Sequence, residues 1–312
     1  MFSLLAPAKI NLYLKVLYKR SDGYHEIDTV LQAVSLFDRL TFHPGSKIHV
    51  LTKGHPIQEE DNLVTKALRL LQAYTGTKKG IRVVIDKKIP VAAGLGGGSS
   101  DAATALLGAC RLWQIPVSKS ELAFLGSKIG SDVPFFFTSG QAQAQGRGEM
   151  LYELSLPTNY SILLVCPHVS VSTPWAYQAL NLSLTSVKNR GNFLPTEKKR
   201  VIGEDPRRSP RACLFSNDLE APVFRRFPEV EQLKKAVASA GFEPVLMSGS
   251  GPSVWAAVPK KSERRAVSEK TRGHGALIQN LLNKTGITPT PRFFIVRPLA
   301  TCATVSIGGR PA

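Results

Sequence analysis

The sequence predicts an α+β protein with two domains, because three features agree. Its 312 residues are about twice the usual length of one domain. Strand patterns lead the first half of the chain and helical patterns crowd the second. The two patterns do not alternate regularly, as they would in a doubly wound parallel sheet. We therefore expect an N-terminal domain over residues 1–155 and a C-terminal domain over residues 156–312.

The composition is that of a folded, non-secreted protein. Apolar residues make up 43% of the chain and charged residues 20%, a balance typical of globular proteins rather than disordered ones. The four cysteines lie far apart without a CxxC pair, so neither a disulfide framework nor a zinc ribbon is predicted. No apolar run approaches the roughly 18 residues that span a bilayer, and the first residues lack a signal-peptide pattern. We expect a cytoplasmic protein with no membrane partner.

Basic residues are concentrated in two segments. The net charge is +17; residues 187–212 hold eight basic residues against three acidic ones, and residues 260–272 hold six against two. Such charge favours nucleic-acid binding through counterion release, but the segments lack the interleaved aromatic side chains of a single-strand groove. We therefore predict a solvated insertion at residues 187–212 and no nucleic-acid partner, and keep a nucleic-acid surface as the alternative.

Periodicity and turn signals place the elements of the first half. Apolar residues alternate along residues 8–18, which predicts a half-buried strand. Asp61 and Asn62 are N-cap candidates for a helix that ends at Gly76, and Ser118 with Glu121 forms a capping box for a helix that ends at Gly130. The other predicted elements are strands at 30–42, 47–52 and 81–86 and a helix at 100–113.

The second half mixes short strands with helices. Thr173 and Pro174 form a cap and first-turn pair, which predicts a short helix through Leu180. The other predicted helices are at 217–226, 228–240 and 276–282, and the strands at 160–166, 245–248, 254–258 and 292–296.

A glycine loop carries the strongest functional signal. Four glycines occupy five positions, at 94, 96, 97 and 98, and an Ala- and Leu-rich helix follows at once. Helix N-termini present free backbone N–H groups, and glycine lets phosphate oxygens approach the backbone closely. The loop is not a Walker A motif, since the chain has no Gly-Lys-Ser or Gly-Lys-Thr, and Ser99 breaks the dinucleotide pattern GxGxxG. The sequence therefore predicts a different kind of phosphate site.

Four motifs in order resemble the superfamily of galactokinase, homoserine, mevalonate and phosphomevalonate kinases. They are PAKINL at 7–12, DGYHE at 22–26, the glycine loop with its flanks, PVAAGLGGGSSDAA, at 90–103, and GSGPS at 249–253. The form of the glycine loop and the DGYHE segment resemble the branch whose acceptor carries a cytidine diphosphate group. The resemblance spans roughly residues 5–258.

The resemblance implies an ATP- and Mg²⁺-dependent kinase of the non-mevalonate isoprenoid pathway. The implied reaction moves the γ-phosphate of ATP to the 2-hydroxyl of a cytidine diphosphate sugar alcohol. Asp132, in the segment GSDVPFF, is implied to accept the proton of that hydroxyl, and Lys9 to keep the carboxylate charged and orient the hydroxyl. The alternatives are a kinase of homoserine or mevalonate type, and an inactive relative that binds nucleic acid through the basic segments.

The same resemblance implies the nucleotide site. Asn62 and Leu63, with Val64, are the weaker candidates for adenine contacts, since they also fit a helix start. For Mg²⁺ the candidate ligand is Ser100, with no matching glutamate, so a site made mainly of phosphates and water is the other option. The residues implied to hold the phosphates are Pro90, Ala92, Ala93, Gly94, Leu95, Gly96, Gly97, Gly98, Ser99 and Ser100.

The acceptor side is implied by two further segments. Tyr24 and His25 are implied to recognise cytosine, with Tyr177 stacking on the base from the other side. Trp175 is the alternative for that stacking role, and core packing is the alternative for both aromatic residues. Asn11 and Thr173 are implied to face the erythritol hydroxyls. We expect a monomer or a weak homodimer.

Overall fold

The described residues form mixed α and β structure with two sheets, which confirms the α+β prediction. The computed structural model describes residues 1–54, 61–182, 215–258, 283 and 286–302. The predicted helix at 276–282 and both basic segments lie outside these residues.

The first sheet is built on two long antiparallel strands. β1 and β2 pair from Phe2 opposite Phe42 to Lys19 opposite His25, with register shifts after Pro7, Asn11 and Val16. The strand order is β3-β4-β2-β5-β6, with β1 also paired to β2, and β3 runs parallel to β4. Its strands are β1 (Phe2–Lys19), β2 (His25–Gly45), β3 (Ile48–Lys53), β4 (Gly80–Asp86), β5 (Gln141–Gly146) and β6 (Met150–Glu153).

Helices cover one face of this sheet around an apolar core that includes Phe42, Leu68 and Trp113. Asn62 caps the first helix by accepting a hydrogen bond from the Val64 N–H. The predicted Ser118–Glu121 capping box is confirmed. The elements are α1 (Leu63–Thr75), α2 (Gly97–Trp113), α3 (Lys119–Ser127) and a 3-10 helix (Pro134–Phe137).

The second sheet is antiparallel throughout, in the order β10-β7-β9-β8. Its helices pack against it through a second core, in which Leu219, Val230 and Leu233 are fully buried. The elements are β7 (Ile162–Cys166), α4 (Thr173–Gln178), α5 (Glu220–Arg226), α6 (Pro228–Ser239), β8 (Val245–Met247), β9 (Val254–Ala257) and β10 (Arg292–Val296).

Strand β1 joins the two halves of the chain. The Leu14 N–H donates to the Ser216 carbonyl at 2.8 Å, and the indole N–H of Trp255 donates to the Asn11 carbonyl at 2.9 Å. Residues near the middle of β1 therefore face elements from both halves. The boundary expected between residues 155 and 156 falls between β6 and β7, and the two-domain division stays a prediction.

Several predicted boundaries change, and three elements are additional. β2 runs over His25–Gly45 rather than 30–42, α4 ends at Gln178 rather than Leu180, and α5 begins at Glu220 rather than residue 217. β5, β6 and the 3-10 helix were not expected. Helix α2 begins at Gly97 rather than Ser100, because the last two loop glycines already adopt helical geometry. Helix α3 ends at Ser127 rather than Gly130, because a tight turn follows in which the Ile129 and Gly130 N–H groups both bond to the Gly126 carbonyl. Strand β1 begins at Phe2, six residues before the predicted strand.

Candidate active site

A lysine and an aspartate meet at the centre of the molecule. The Lys9 ammonium lies 3.5 Å from a carboxylate oxygen of Asp132 and donates a 2.8 Å hydrogen bond to the Asn11 side-chain oxygen. The Lys9 side chain is 5% exposed and that of Asp132 37% exposed. The aspartate is thus open to a reactant on one side, while the lysine is fixed behind it.

The first half of the glycine loop lies directly on this pair. The Lys9 backbone N–H donates to the Leu95 carbonyl at 2.9 Å. A Cβ at Gly96, which has φ +66°, would come within 2.9 Å of the Lys9 side chain. Glycine at this position therefore lets the loop approach Lys9.

The second half of the chain closes over the same loop with residues 248–253. The Ser248 hydroxyl donates to the Gly94 carbonyl at 3.0 Å and accepts a longer hydrogen bond, 3.3 Å, from the Asn11 N–H. A Cβ at Gly94 would lie 2.1 Å from the Ser248 carbonyl oxygen, and one at Gly249 would lie 3.2 Å from the Lys9 ammonium. The first, third and fourth motifs, PAKINL, the glycine loop and GSGPS, are therefore in contact.

The remaining loop positions serve different purposes. Ala93 and Leu95 are buried, and the Ala93 carbonyl accepts the Ser253 N–H at 3.4 Å. Ala92 is exposed at a left-handed φ of +52°, next to the half-buried Pro90. Backbone geometry here shapes the turn before the helix.

The helical end of the loop is open for an anion. Gly98 is exposed in the first turn of α2, and its capping residue Gly96 offers no side chain to the free N–H groups. A Cβ on Gly130 would lie 3.9 Å from the Ser99 hydroxyl, so the turn that carries Asp132 passes beside the loop. A phosphate at this helix N-terminus would lie close to Lys9 and Asp132.

A buried ionic cluster lies beneath the first turn of α2. The Lys87 ammonium donates to Asp101 at 2.7 Å and to Asp38 at 2.5 Å. Burial raises the pKa of Asp101 to about 8, against the opposing effect of Lys87. Burial by itself would lower the pKa of Lys87, but the two carboxylates outweigh it and raise that pKa.

The adenine candidates lie across from the loop. A Cβ on Gly98 would lie 3.5 Å from the Leu63 side chain, which places Leu63 beside the start of α2. The Asn62 side chain is buried and caps α1, so it has the role expected of a residue at a helix start. Val64 is buried in the core.

On the acceptor side, His25 is buried and stacks on Tyr177, with ring centroids 5.3 Å apart and an angle of 28° between the planes. A base held between two parallel rings needs about 7 Å, twice the contact distance of carbon atoms. The rings must therefore separate before a base can stack between them. Burial, with Lys19 nearby, lowers the pKa of His25 below 6.5. Tyr24 is 53% exposed, and the Arg147 guanidinium lies 4.8 Å from its ring centre.

The two candidate stacking residues both pack against the second core but have different ring partners, His25 for Tyr177 and Phe227 for Trp175. Burial, followed by the charge of Asp132, raises the pKa of Tyr177 above its usual range. Trp175 instead packs edge-on against Phe227 in the second core, at 5.6 Å between ring centres. Thr173 is exposed, and its hydroxyl lies 2.8 Å from that of Ser250.

Three residues that support the site were not predicted from the sequence. Asn217 donates to the carbonyls of Met247 and Gly249, each at 2.8 Å, and so supports the turn over Lys9. Ser248 and Lys87 hold the loop from its two sides. Ser248 and Lys87 flank recognised motifs, which was the available signal, whereas Asn217 lies outside all four motifs.

One observation bears on a metal ion. The Ser100 hydroxyl is buried without a hydrogen-bond partner, which fits a group that acquires a ligand later. Over the described ranges, no cluster of three His, Cys, Asp or Glu side chains is arranged to hold a metal. In the same ranges no helix is long and apolar enough to cross a membrane.

Family models match both halves of the chain. The model of the GHMP kinase N-terminal domain matches residues 62–140, and that of the C-terminal domain matches residues 205–277. The match thus extends beyond residue 258, where the sequence resemblance was expected to end. The fold agrees: the homoserine kinase of Cytophaga hutchinsonii, 18% identical, superposes with a TM-score of 0.67 over 98% of this chain and 97% of its own. Fold and family models define the class as the GHMP kinases.

Closer relatives narrow the class to one family. The 4-diphosphocytidyl-2-C-methyl-D-erythritol kinase of Thermodesulfovibrio yellowstonii is 39% identical over 277 residues, covering 88% of this chain and 95% of the relative. That of Listeria monocytogenes is 41% identical, covering 87% and 92%. A crystal structure of 4-(cytidine 5'-diphospho)-2C-methyl-D-erythritol kinase, 31% identical, has a TM-score of 0.70 and covers 95% and 99%. The chain belongs to the 4-diphosphocytidyl-2-C-methyl-D-erythritol kinase family.

Proposed function

We propose that the protein phosphorylates the 2-hydroxyl of 4-diphosphocytidyl-2-C-methyl-D-erythritol, with ATP as the phosphate donor, in the non-mevalonate isoprenoid pathway. The observation that carries the proposal is the placement of Lys9 and Asp132, 3.5 Å apart, beneath a glycine loop that opens α2. Family membership supports the same activity.

The pair of charged residues can perform the proton transfer. As the acceptor oxygen bonds to the γ-phosphorus, the bond from that phosphorus to the ADP oxygen breaks and ADP leaves. The Asp132 carboxylate takes the proton of the attacking hydroxyl. The Lys9 ammonium is anchored by Asn11, so it can orient the hydroxyl without moving.

The glycine loop stabilises charge and positions the phosphates. Phosphoryl transfer has a loose transition state, so positioning and electrostatics supply most of the rate enhancement. The free N–H groups of Gly97, Gly98 and Ser99 point toward the phosphate position, and the α2 dipole favours its negative charge. Mg²⁺, when bound with the nucleotide, would neutralise phosphate charge, and the unpartnered Ser100 hydroxyl is the loop group available to it.

Recognition of the acceptor rests on the other side of Asp132. Tyr24, His25 and Tyr177 would hold the cytosine, and Asn11 and Thr173 would face the erythritol hydroxyls. The contact between the His25 and Tyr177 rings supports this assignment, since it brings residues 152 positions apart to one place beside Asp132. Their flat aromatic faces favour stacking on a planar base.

The test is ATP consumption with three acceptors. We would supply Mg²⁺ and ATP with the cytidine acceptor, homoserine or mevalonate. An Asp132→Asn variant keeps the shape of the side chain and removes the base, and Glu231→Gln on α6 is the matched acid-to-amide control. We expect turnover with the cytidine acceptor alone, lost by about 10²- to 10⁴-fold in Asp132→Asn.

Other results would redirect the proposal. Turnover with homoserine or mevalonate would keep the fold and the catalytic pair but reject Tyr24 and His25 as a cytosine site. Full activity of Asp132→Asn would reject the carboxylate as the base. No turnover with any acceptor, combined with salt-sensitive retention on DNA, would favour a binding protein.

A further inference from the structure

The cluster of Lys87, Asp38 and Asp101 connects three separate elements at one buried point. Asp38 belongs to β2, Lys87 follows β4, and Asp101 lies in the first turns of α2. Their side chains are 0–5% exposed. Burying three ionisable groups is costly, and apolar side chains of similar size would often stabilise a fold equally well. Stability alone therefore does not explain the cluster, and its position suggests a functional role.

Its hydrogen bonds all converge on the segment before the glycine loop and the helix after it. The second oxygen of Asp38 accepts the N–H groups of Lys88 and Ile89, at 2.5 and 2.8 Å, which fixes the chain that enters the loop. The Lys87 ammonium then reaches Asp101 at 2.7 Å, which fixes the chain that leaves it.

Gly97 makes this arrangement sterically tight. A Cβ at this position would lie 2.9 Å from the Ile89 side chain and 3.2 Å from the Lys87 ammonium. The backbone of the first turn thus rests against the cluster itself. A shift of the cluster would move the N–H groups that face the phosphates.

We propose that Lys87, Asp38 and Asp101 are positioning residues for the nucleotide, and that they hold the first turn of α2 in register with Lys9 and Asp132. The inference rests on the proposed kinase function. Among the described residues, none of the hydrogen bonds of the cluster involves an acceptor-side residue. Loss of the cluster therefore weakens use of ATP and leaves use of the acceptor intact.

Asp101→Ala is the main test variant, because it leaves Lys87 and Asp38 as a charge-balanced pair. We expect kcat/KM for ATP to fall about 10- to 100-fold, as for a displacement of the reacting groups by a fraction of an ångström to 1 Å. The KM for the cytidine acceptor stays within about twofold, since no contact to that side changes. Asp101→Asn, which keeps an oxygen for Lys87, restores most of the activity.

Leu106→Ala is the matched control for loss of stability. Leu106 is fully buried on the same helix, away from the first turn. We expect it to lower the melting temperature at least as much as Asp101→Ala while leaving the KM for ATP unchanged. Equal effects of Leu106→Ala and Asp101→Ala on the KM for ATP would overturn the proposal, as would an equal loss in Asp101→Asn and Asp101→Ala.

Gly97→Ala tests the same geometry if Asp101→Ala does not fold. Alanine is the better helix former, so its effect comes from pushing the first turn off the cluster. We expect weaker binding of a fluorescent ATP analogue, measured without acceptor; unchanged binding would overturn the proposal. Because this readout needs no phosphate transfer, a native protein that binds the analogue but does not phosphorylate the cytidine acceptor contradicts the proposed function alone.

Discussion

Gly94→Ala should destabilise the protein more than the same substitution at a glycine with free space around it. Two costs add at Gly94: strain of the backbone conformation and a steric clash. Gly94 has φ +74°, a left-handed conformation that costs an alanine about 1–2 kcal/mol. The new Cβ would also lie 2.1 Å from the Ser248 carbonyl oxygen and 3.0 Å from that of Gly251. Relieving such overpacking by backbone shifts costs about 1–3 kcal/mol. The expected loss is the sum, about 2–5 kcal/mol.

Gly76→Ala isolates the conformational cost. Gly76 caps α1 at φ +69°, nearly the same angle, and a Cβ added there would meet no atom within 4 Å. Its expected loss is the strain alone, about 1–2 kcal/mol. Urea denaturation of both variants, followed by intrinsic fluorescence, measures the difference, which should be about 1–3 kcal/mol.

The functional consequence follows from what the clash would move. The turn at 248–251 lies against Lys9 and Asn11, so its displacement disturbs the catalytic pair as well as the loop. We expect kcat/KM for ATP to fall by about 10²-fold or more in Gly94→Ala and to stay unchanged in Gly76→Ala. Equal destabilisation of the two variants, or native kinetics in Gly94→Ala, would refute the contact between the two motifs.

Three further predictions concern single side chains. Lys9→Met should lower kcat about 10²- to 10³-fold in steady-state assays, because a buried donor beside Asp132 is lost. The KM for the acceptor should rise as the pH falls below 6.5, since the pKa of His25 is lowered and its neutral ring is the form present above that value; His25→Gln should flatten this profile. Because folding lowers the pKa of His25, the unfolded chain binds the proton more readily, and the stability present above pH 6.5 is lost on acidification. Ser118→Ala removes the cap of α3 and should cost about 0.5–2 kcal/mol in urea denaturation.

Local signals predicted the parts of the fold that local chemistry determines. The capping box at Ser118 and the glycine that ends α1 are both present, since each satisfies backbone groups within a few residues. Strand β5 was missed because its sequence, QAQAQG, contains no β-branched or aromatic residue. Its pairing with β2 over residues 27–32 stabilises it instead, which no local pattern reveals.

The candidate site shows the same limit at longer range. The motifs identified Lys9 and Asp132, but their separation of 3.5 Å depends on how β1 and the turn after α3 meet. Nothing in the spacing of Asp38, Lys87 and Asp101 predicts a shared buried point, because exposed positions are the default for both aspartate and lysine. The pairing of β2 with β4 brings Asp38 beside Lys87, and the packing of α2 on these strands adds Asp101.

The glycine loop is therefore held by two unrelated kinds of contact. On the side of Gly94, neutral hydrogen bonds from the Ser248 hydroxyl to the Gly94 carbonyl and from the Ser253 N–H to the Ala93 carbonyl tie it to the C-terminal half of the chain. On the side of Gly97, the Lys87 cluster ties it to the first sheet. Hydrogen bonds between neutral groups each contribute little net free energy, whereas the buried ion pairs strongly resist loss of one partner. The Gly94 end of the loop is thus held by contacts of small net free energy, and the Gly97 end by a cluster that loses much stability when one partner is removed.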